Sequence, residues 1–311
     1  TVGNSRIEDI TYDNEFKVGG DIKLGLTSSL NLDLTINPDF SQVEADRQVA
    51  NLTRFELFFP ERRQFFLENA DLFASFGYDN IRPFFSRRIG LGVPIIAGAR
   101  VSGNLNRNLR LGMMDMQTEK VDETGLPSQN FAVLSLQQKV FSRSNIGLMF
   151  VNKESLDYNS LTDSLQTQYT KFNRNLGLEY NLASADNQYN GKVFMLKSFG
   201  PDSTYNGFAQ GAHLEYSSRK WNWRVQQEYI SEDFTSEVGF VPRNNYIKLE
   251  GSVGHLFLPN SEKVVSHGPQ YTGFYYFDPS MNSTDYVSIL GYTVNFMDRS
   301  SLGGDVFNEY V

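Results

Sequence analysis

The sequence predicts an all-β fold: an antiparallel transmembrane β-barrel of the outer-membrane type, with a Phe- and charge-rich segment partly filling its lumen. Three observations predict it. Hydrophobicity alternates with a period of two through most of the chain. The alternating stretches are apolar on one face, with Tyr or Trp near their ends, and charged and glycine-rich on the other. Tight polar turns and longer polar loops alternate between them. Composition narrows the class further. A mean hydropathy of −0.39, with no apolar run near ~18 residues, excludes a helical membrane protein but not a barrel, whose strands average out as hydrophilic. The absence of cysteine removes disulfides, thiolate metal sites and Cys nucleophiles. A net charge of −8 argues against a broad nucleic-acid-binding face. The 25 Phe and 16 Tyr are many for so polar a chain and have to be placed.

The strands follow in order. Phe16, Val18, Gly20, Ile22, Leu24 and Leu26 alternate with Lys17, Gly19, Asp21, Lys23 and Gly25. After a Thr-Ser-Ser turn, Leu30, Leu32, Leu34 and Ile36 alternate with Asn31, Asp33, Thr35 and Asn37, which reads as a hairpin. Further strands are expected at Val93–Leu105, Leu109–Met116, Phe131–Val140, Ile146–Lys153, Tyr169–Leu182, Lys192–Phe199, Gly207–Ser217, Trp221–Ile230, Asn245–Leu258, Tyr271–Phe277 and Tyr286–Met297, with strand-like residues again at the end of the chain. Many exceed the ~5–6 residues of an ordinary strand and approach the ~9–11 of a membrane strand. The total is about 13–14, in keeping with even-numbered barrels. Tight turns are expected at Asn104–Asn108, Ser142–Asn145 and Ser217–Lys220, and long loops at Gln117–Asn130, Glu154–Gln168 and Ser231–Glu237. Face chemistry is plainest at Trp221–Ile230: Trp221, Trp223, Val225, Gln227 and Tyr229 oppose Asn222, Arg224, Gln226, Glu228 and Ile230. A soluble sheet with one wet face predicts the same alternation, but it accounts less well for Trp and Tyr at strand ends.

Residues Asn37–Arg88 break the pattern. Ser41-Gln42-Val43-Glu44 fits a capping box that would start a short helix through Asn51; equally, Phe40, Gln42, Glu44 and Asp46 would prolong the preceding strand. Phe58, Phe59, Phe65 and Phe66 cannot all face water, and Glu61, Arg62, Arg63 and Glu68 cannot sit unpaired in lipid. A segment folded into a barrel lumen satisfies both demands. We therefore read residues 1–311 as a single β-barrel domain with 37–90 as an internal, plug-like segment.

The run NPDFSQVEADRQVANLTRFELFFPERRQFFLENADLF (Asn37–Phe73), together with FFSRRIG (Phe84–Gly90), resembles a family of uncharacterised outer-membrane barrels of Bacteroidota. FTSEVGFVPR (Phe234–Arg243) is a second match to the same family. The resemblance implies a barrel domain that usually follows a carbohydrate-binding family 9-like domain. No such upstream domain is recognisable here, and relative to the family pattern the chain is expected to be truncated, with any signal peptide removed or outside it.

The residues offer little catalytic chemistry. Carboxylates cluster at Asp39, Glu44, Asp46, Glu56, Glu61, Glu68 and Asp71, and a glycosidase needs two such groups facing across a sugar. Arg47, Arg54, Arg62, Arg63, Arg87 and Arg88 supply a near-matching set of cations. A lumen charge network built from Asp39, Glu44, Asp46, Arg47, Arg54, Glu56, Glu61, Arg62, Arg63, Glu68, Arg87 and Arg88 is therefore expected in preference to an acid–base pair. His213, His255 and His267 are scattered without zinc spacing, and no calcium-loop, Walker-type, G-x-G-x-x-G or G-x-S-x-G pattern occurs. No metal or cofactor is expected. The expected function is a non-enzymatic outer-membrane barrel of a Gram-negative bacterium, serving transport or acting as a membrane-embedded subunit of a larger envelope complex. Its expected partners are outer-membrane lipid and envelope proteins or glycans, with no nucleic acid. Two alternatives stay open: a glycan-active envelope enzyme using the carboxylate cluster, and a soluble carbohydrate-binding β-sandwich whose aromatic loops stack sugars.

Overall fold

A computed structural model describes residues 18–38, 49–51, 55–122, 125–156, 158 and 169–310. Alternation becomes strand almost wherever the sequence shows it. The strands are β1 (Gly20–Thr27), β2 (Leu30–Ile36), β3 (Ile95–Asn104), β4 (Leu109–Thr118), β5 (Gln129–Val140), β6 (Ser144–Ser155), β7 (Phe172–Ala183), β8 (Tyr189–Phe199), β9 (Phe208–Ser217), β10 (Trp221–Ile230), β11 (Tyr246–His255), β12 (Val264–Phe277), β13 (Ser283–Phe296) and β14 (Ser301–Tyr310). They form one fourteen-stranded antiparallel sheet in sequence order, each strand paired only with its chain neighbours. Among the described residues β1 and β14 are not paired with each other, so the sheet is not closed into a barrel. Among the described residues helix is confined to α1 (Gln64–Leu67), α2 (Asp71–Ala74) and two 3-10 turns, Ser86–Arg88 and Ser203–Tyr205.

Two boundaries differ from the sequence reading for identifiable reasons. β12 starts at Val264 rather than Tyr271 and runs through Pro269. Its ladder to β11 ends at Gln270, so the N–H that Pro269 lacks would have had no partner on that side. The loop after β10 continues to Asn245 rather than Glu237, because Phe234–Arg243 pairs elsewhere, as described below. The expected helix or strand extension over Ser41–Asn51 lies, for residues 41–48, outside the described residues.

The connections alternate between the two ends of the sheet, mostly short at one and mostly long at the other. Turns 28–29, 105–108, 141–143, 184–188, 218–220 and 297–300, with the longer 256–263, lie at one end of the strands. Connections 37–94, 119–128, 156–171, 200–207, 231–245 and 278–282 lie at the other. The two faces of the sheet also differ. One carries Leu24, Met113, Ile146, Leu176, Leu178, Val193, Met195, Val225, Leu249 and Leu290, all exposed. The other is covered between β2 and β11 by the connection 55–94. Its apolar cluster joins Phe66, Leu72, Phe73, Phe76, Ile81, Phe84 and Ile89 of that connection to Met114, Met116, Phe131, Val133, Met149, Val151, Phe194, Leu196 and Ile230 of the strands. Glycines on the covered face make room for the rings. A Cβ on Gly112 would stand 2.8 Å from Phe73, on Gly177 2.5 Å from Phe76, and on Gly211 2.6 Å from Tyr78.

Candidate functional site

The covered face holds the densest chemistry, and Glu61 organises one end of it. Its Oε1 accepts from the backbone N–H of Arg62 and Arg63 (2.9 and 2.8 Å) and from Arg63 Nε (2.9 Å). Its Oε2 accepts from Arg63 Nη2 (2.7 Å) and Ser86 Oγ (2.6 Å). Arg63 uses its remaining donors on the Ile89 and Ser86 carbonyls, 2.7 Å each, and lies over the Phe66 ring. Burial works to raise the Glu61 pKa, but the Arg63 guanidinium and the Ser86 hydroxyl outweigh it and hold the carboxyl below its ordinary range. A bidentate Arg–carboxylate pair with every lone pair occupied behaves as a structural bracket.

A second cluster ties the connection to the first strands. Arg100 on β3 is fully buried and donates to Asp33 Oδ2 on β2 (2.7 Å from Nη2) and to the backbone carbonyls of Phe65 and Glu68. The Glu68 carboxylate reaches Lys23 on β1 and accepts from Asn31 (3.4 Å), while Asn69 donates to Ser102 (3.0 Å). Farther along, Asp71 pairs with Arg110 of β4 (2.7 Å), and the Leu72 carbonyl accepts from Ser135 of β5 (2.5 Å). Lys192 of β8 donates to the Ser75 and Gly77 carbonyls and sits 3.3 Å from Glu179 of β7.

The tip of the connection, Tyr78–Ile81, inserts among β9, β10 and β11. The Tyr78 hydroxyl lies 3.1 Å from His213 Nδ1, and burial, assisted by the Glu228 charge, pushes that phenol upward. Asn80 donates to the fully buried Glu228 carboxylate (2.9 Å), which also accepts from Tyr246 (2.9 Å) and Gln226 (2.6 Å). Lys248 stands 3.5 Å from it, balancing the buried charge.

From the tip the chain returns against the loop 231–245, and here the two sequence motifs meet. Arg82 and Phe240 exchange backbone hydrogen bonds (3.1 and 2.9 Å), and Phe85 N–H donates to the Val238 carbonyl (2.7 Å). Ser236 donates to the Pro83 carbonyl and Arg88 to the Gly239 carbonyl, both 3.0 Å. The Phe58, Phe85 and Phe240 rings pack edge-on or tilted at 5.0–5.8 Å, with Arg82 over Phe58. A close backbone approach explains Gly239, whose Cβ would stand 2.2 Å from the Arg82 carbonyl. The loop is tied in turn to the sheet: Glu237 pairs with Lys153 (2.5 Å) and accepts from Thr170, and Asn173 holds both its backbone N–H and Thr235. Two motifs some 150 positions apart thus form one cross-linked layer at the long-loop end of the sheet.

Of the expected network, Glu61 and Arg63 pair with each other, and Arg88 pairs with Glu56 (2.5 Å). Glu68 joins Lys23 and Arg100, and Arg87 donates to the Pro60 carbonyl (3.1 Å) and lies over Phe59. Arg62 contributes its backbone N–H to Glu61. Asp39, Glu44, Asp46, Arg47 and Arg54 lie outside the described residues. The strand partners Asp33, Arg100, Glu179, Lys192, Glu228, Tyr246 and Lys248 do not stand out as a set in the sequence. For Asp33, Arg100 and Lys248 the signal there is a charged residue flanked on both sides by aliphatic ones, as at Leu32-Asp33-Leu34. Among the described residues no three His, Asp or Glu side chains converge to hold a metal ion.

No curated protein and no solved structure matches the chain. The family described as Domain of unknown function (DUF5916) matches residues 2–108 and 92–303, which together span both motifs and all fourteen strands in whole or part. The chain therefore belongs to the family of Domain of unknown function (DUF5916).

Proposed function

We propose that this chain is the membrane-embedded part of a non-enzymatic outer-membrane β-barrel of a Gram-negative bacterium, its lumen partly filled by the connection between β2 and β3. It serves transport or acts as a membrane-embedded subunit of a larger envelope complex. The observation that carries the reading is the inversion of the sheet. Large apolar side chains stand exposed on the uncovered face, whereas charges and amides line the covered one. A soluble monomer rarely exposes a contiguous apolar patch beyond a few hundred Å², yet this band crosses most of the strands. Its ends are aromatic. Tyr180, Tyr189, Tyr216 and Trp223 lie toward the short-turn end, and Phe172, Phe199, Phe208 and Tyr229 toward the long-loop end. Phe172 and Tyr180 are eight residues apart, Tyr189 and Phe199 ten. At ~3.3 Å per residue that is about 26–33 Å along the strand, or about 20–25 Å across a bilayer at a ~40° tilt. The apolar band of outer-membrane barrels is ~25 Å tall. Short turns at one end and long loops at the other fit the same architecture, and the motif resemblance supports an origin in Bacteroidota.

The glycan-active alternative gains nothing from the covered face. Glu56, Glu61, Glu68 and Asp71 each carry a cationic partner, and Glu61 is held more acidic, the opposite of what a general acid needs. The test is membrane fractionation of the full chain followed by electrophoresis with and without boiling. Recovery in the outer-membrane fraction with heat-modifiable mobility is expected. Recovery as a soluble monomer without detergent overturns the proposal.

A further inference from the structure

The short-turn end of the covered face differs from the end closed by the motif layer. Among the described residues, the hydrogen bonds of 75–80 to β8–β11 reach Lys192, His213, Glu228 and Tyr246, short of the outermost positions. What lines it is largely carboxamide: Gln137 on β5, Asn145 on β6, Asn181 on β7, Asn190 on β8, Asn222 on β10 and Gln270 on β12, all on the covered face by register. The first three are linked, Gln137 and Asn181 both donating to Asn145 Oδ1 (3.4 and 2.9 Å). Deeper amides are committed to internal bonds, as Asn173 is to Thr235 and Gln226 to Glu228. The side chains of Asn190, Asn222 and Gln270, by contrast, make no hydrogen bond among the described residues. Ser217, Asn222, Gln270, Thr293 and Asn295 line a cavity of about 450 Å³ there, within the ~300–1,000 Å³ of small-molecule sites.

We infer that this end of the covered face is a vestibule for neutral, hydroxyl-rich solutes, with a short neutral oligosaccharide as the chemical class. The inference rests on the membrane reading above and adds the cargo and the side of access. A carboxamide offers a donor and an acceptor in one plane, which matches adjacent sugar hydroxyls, themselves donors and acceptors. Charges at the same level cancel locally: Arg224 faces Glu215 at 3.8 Å, Lys192 faces Glu179 at 3.3 Å and Arg110 faces Asp71 at 2.7 Å. Of the residues lining the cavity itself, Lys220 alone carries a fixed charge. The buried apolar cluster of this face lies under the connection 55–94 rather than around the cavity. Trp221 and His255 add ring faces to this otherwise amide- and hydroxyl-rich lining.

The experiment uses the full chain in detergent, first checked for heat-modifiable mobility, then dialysed to equilibrium against maltohexaose, an uncharged hexasaccharide chosen as probe. Parallel arms use a uronic-acid hexasaccharide and tetraglycine. Saturable maltohexaose binding is expected, weakened about tenfold in N222L/Q270L, since two lost hydrogen bonds are worth about that factor, and largely kept in N222Q. Both positions are exposed, so the double variant keeps its fold, and its own heat-modifiable mobility verifies that. Heat-modifiable protein with no saturable binding, or with binding unchanged in N222L/Q270L, overturns the inference and leaves the membrane reading standing. Preference for tetraglycine or for the charged hexasaccharide overturns it equally. Loss of heat-modifiable mobility in the unaltered protein overturns the membrane reading, and the vestibule with it.

Discussion

Replacing Glu61 by Ala removes five hydrogen-bond acceptor contacts at once and strands the Arg63 guanidinium, whose side chain is only 12% exposed. Removing one partner of a buried ion pair costs about 3–5 kcal/mol. Arg63 would keep the Ile89 and Ser86 carbonyls, so the lower figure of about 3 kcal/mol applies, which is about two powers of ten in the opening equilibrium. The effect is local, so the assay is hydrogen exchange at the Phe66, Phe73 and Ala74 amides, which donate to Arg63 and Ala70 carbonyls. Protection there should fall about a hundredfold in Glu61→Ala, with β7–β9 unchanged. Glu61→Gln keeps the shape and one acceptor, and should cost about 1–2 kcal/mol. The pH dependence has a definite sign. Because the folded carboxyl is more acidic than the ordinary glutamate value of 4.5, its contribution is complete above that value and disappears as pH falls through the lower folded value. Protection corrected for intrinsic exchange should hold level from neutral to about pH 5 and weaken only in stronger acid, and Glu61→Gln should abolish that acid limb. A change of less than about threefold in Glu61→Ala would refute the bracket.

Two further outcomes follow from the faces of the sheet. Gly177→Val drives its Cβ into Phe76 and Leu196, at 2.5 and 2.6 Å, and should cost about 1–3 kcal/mol in urea unfolding; Gly251→Ala, which meets open space, should be near neutral. Leu178→Arg, in the middle of the exposed apolar face, should cost about 2–4 kcal/mol and lower the yield in the outer-membrane fraction, while Ser252→Arg on the covered face should be tolerated.

Much of the sheet was legible in the sequence because each strand carries two unlike faces, so a period of two survives without tertiary information. Trp221–Ile230 and Tyr169–Leu182 show this well, and their boundaries hold to within a few residues. The local chemistry of Glu61 and Arg63 was legible for the same reason, since the partners are two positions apart. Arg100 with Asp33, and Asn80 with Glu228, were not. Their encounters depend on register between β2 and β3 and on the path of a connection 148 positions away from its partner, which periodicity does not encode. The meeting of Arg82–Phe85 with Val238–Phe240 was hidden likewise. Each motif stood out alone, and only backbone pairing joined them. Closure of the sheet depends on what β1 and β14 meet, and no residue pattern within a strand specifies that.

The account's central claim is that the apolar face meets lipid and the covered face meets water or the connection. The chain contains no cysteine, so single cysteines can be introduced along β7 at Leu176, Gly177, Leu178, Glu179 and Tyr180 without a background. In reconstituted bilayers, the account predicts that the cysteines of Leu176→Cys, Leu178→Cys and Tyr180→Cys react with a bilayer-confined thiol reagent and resist an aqueous one. Those of Gly177→Cys and Glu179→Cys should escape the bilayer-confined reagent. Uniform reaction of all five with the aqueous reagent, and none with the bilayer-confined one, would contradict it.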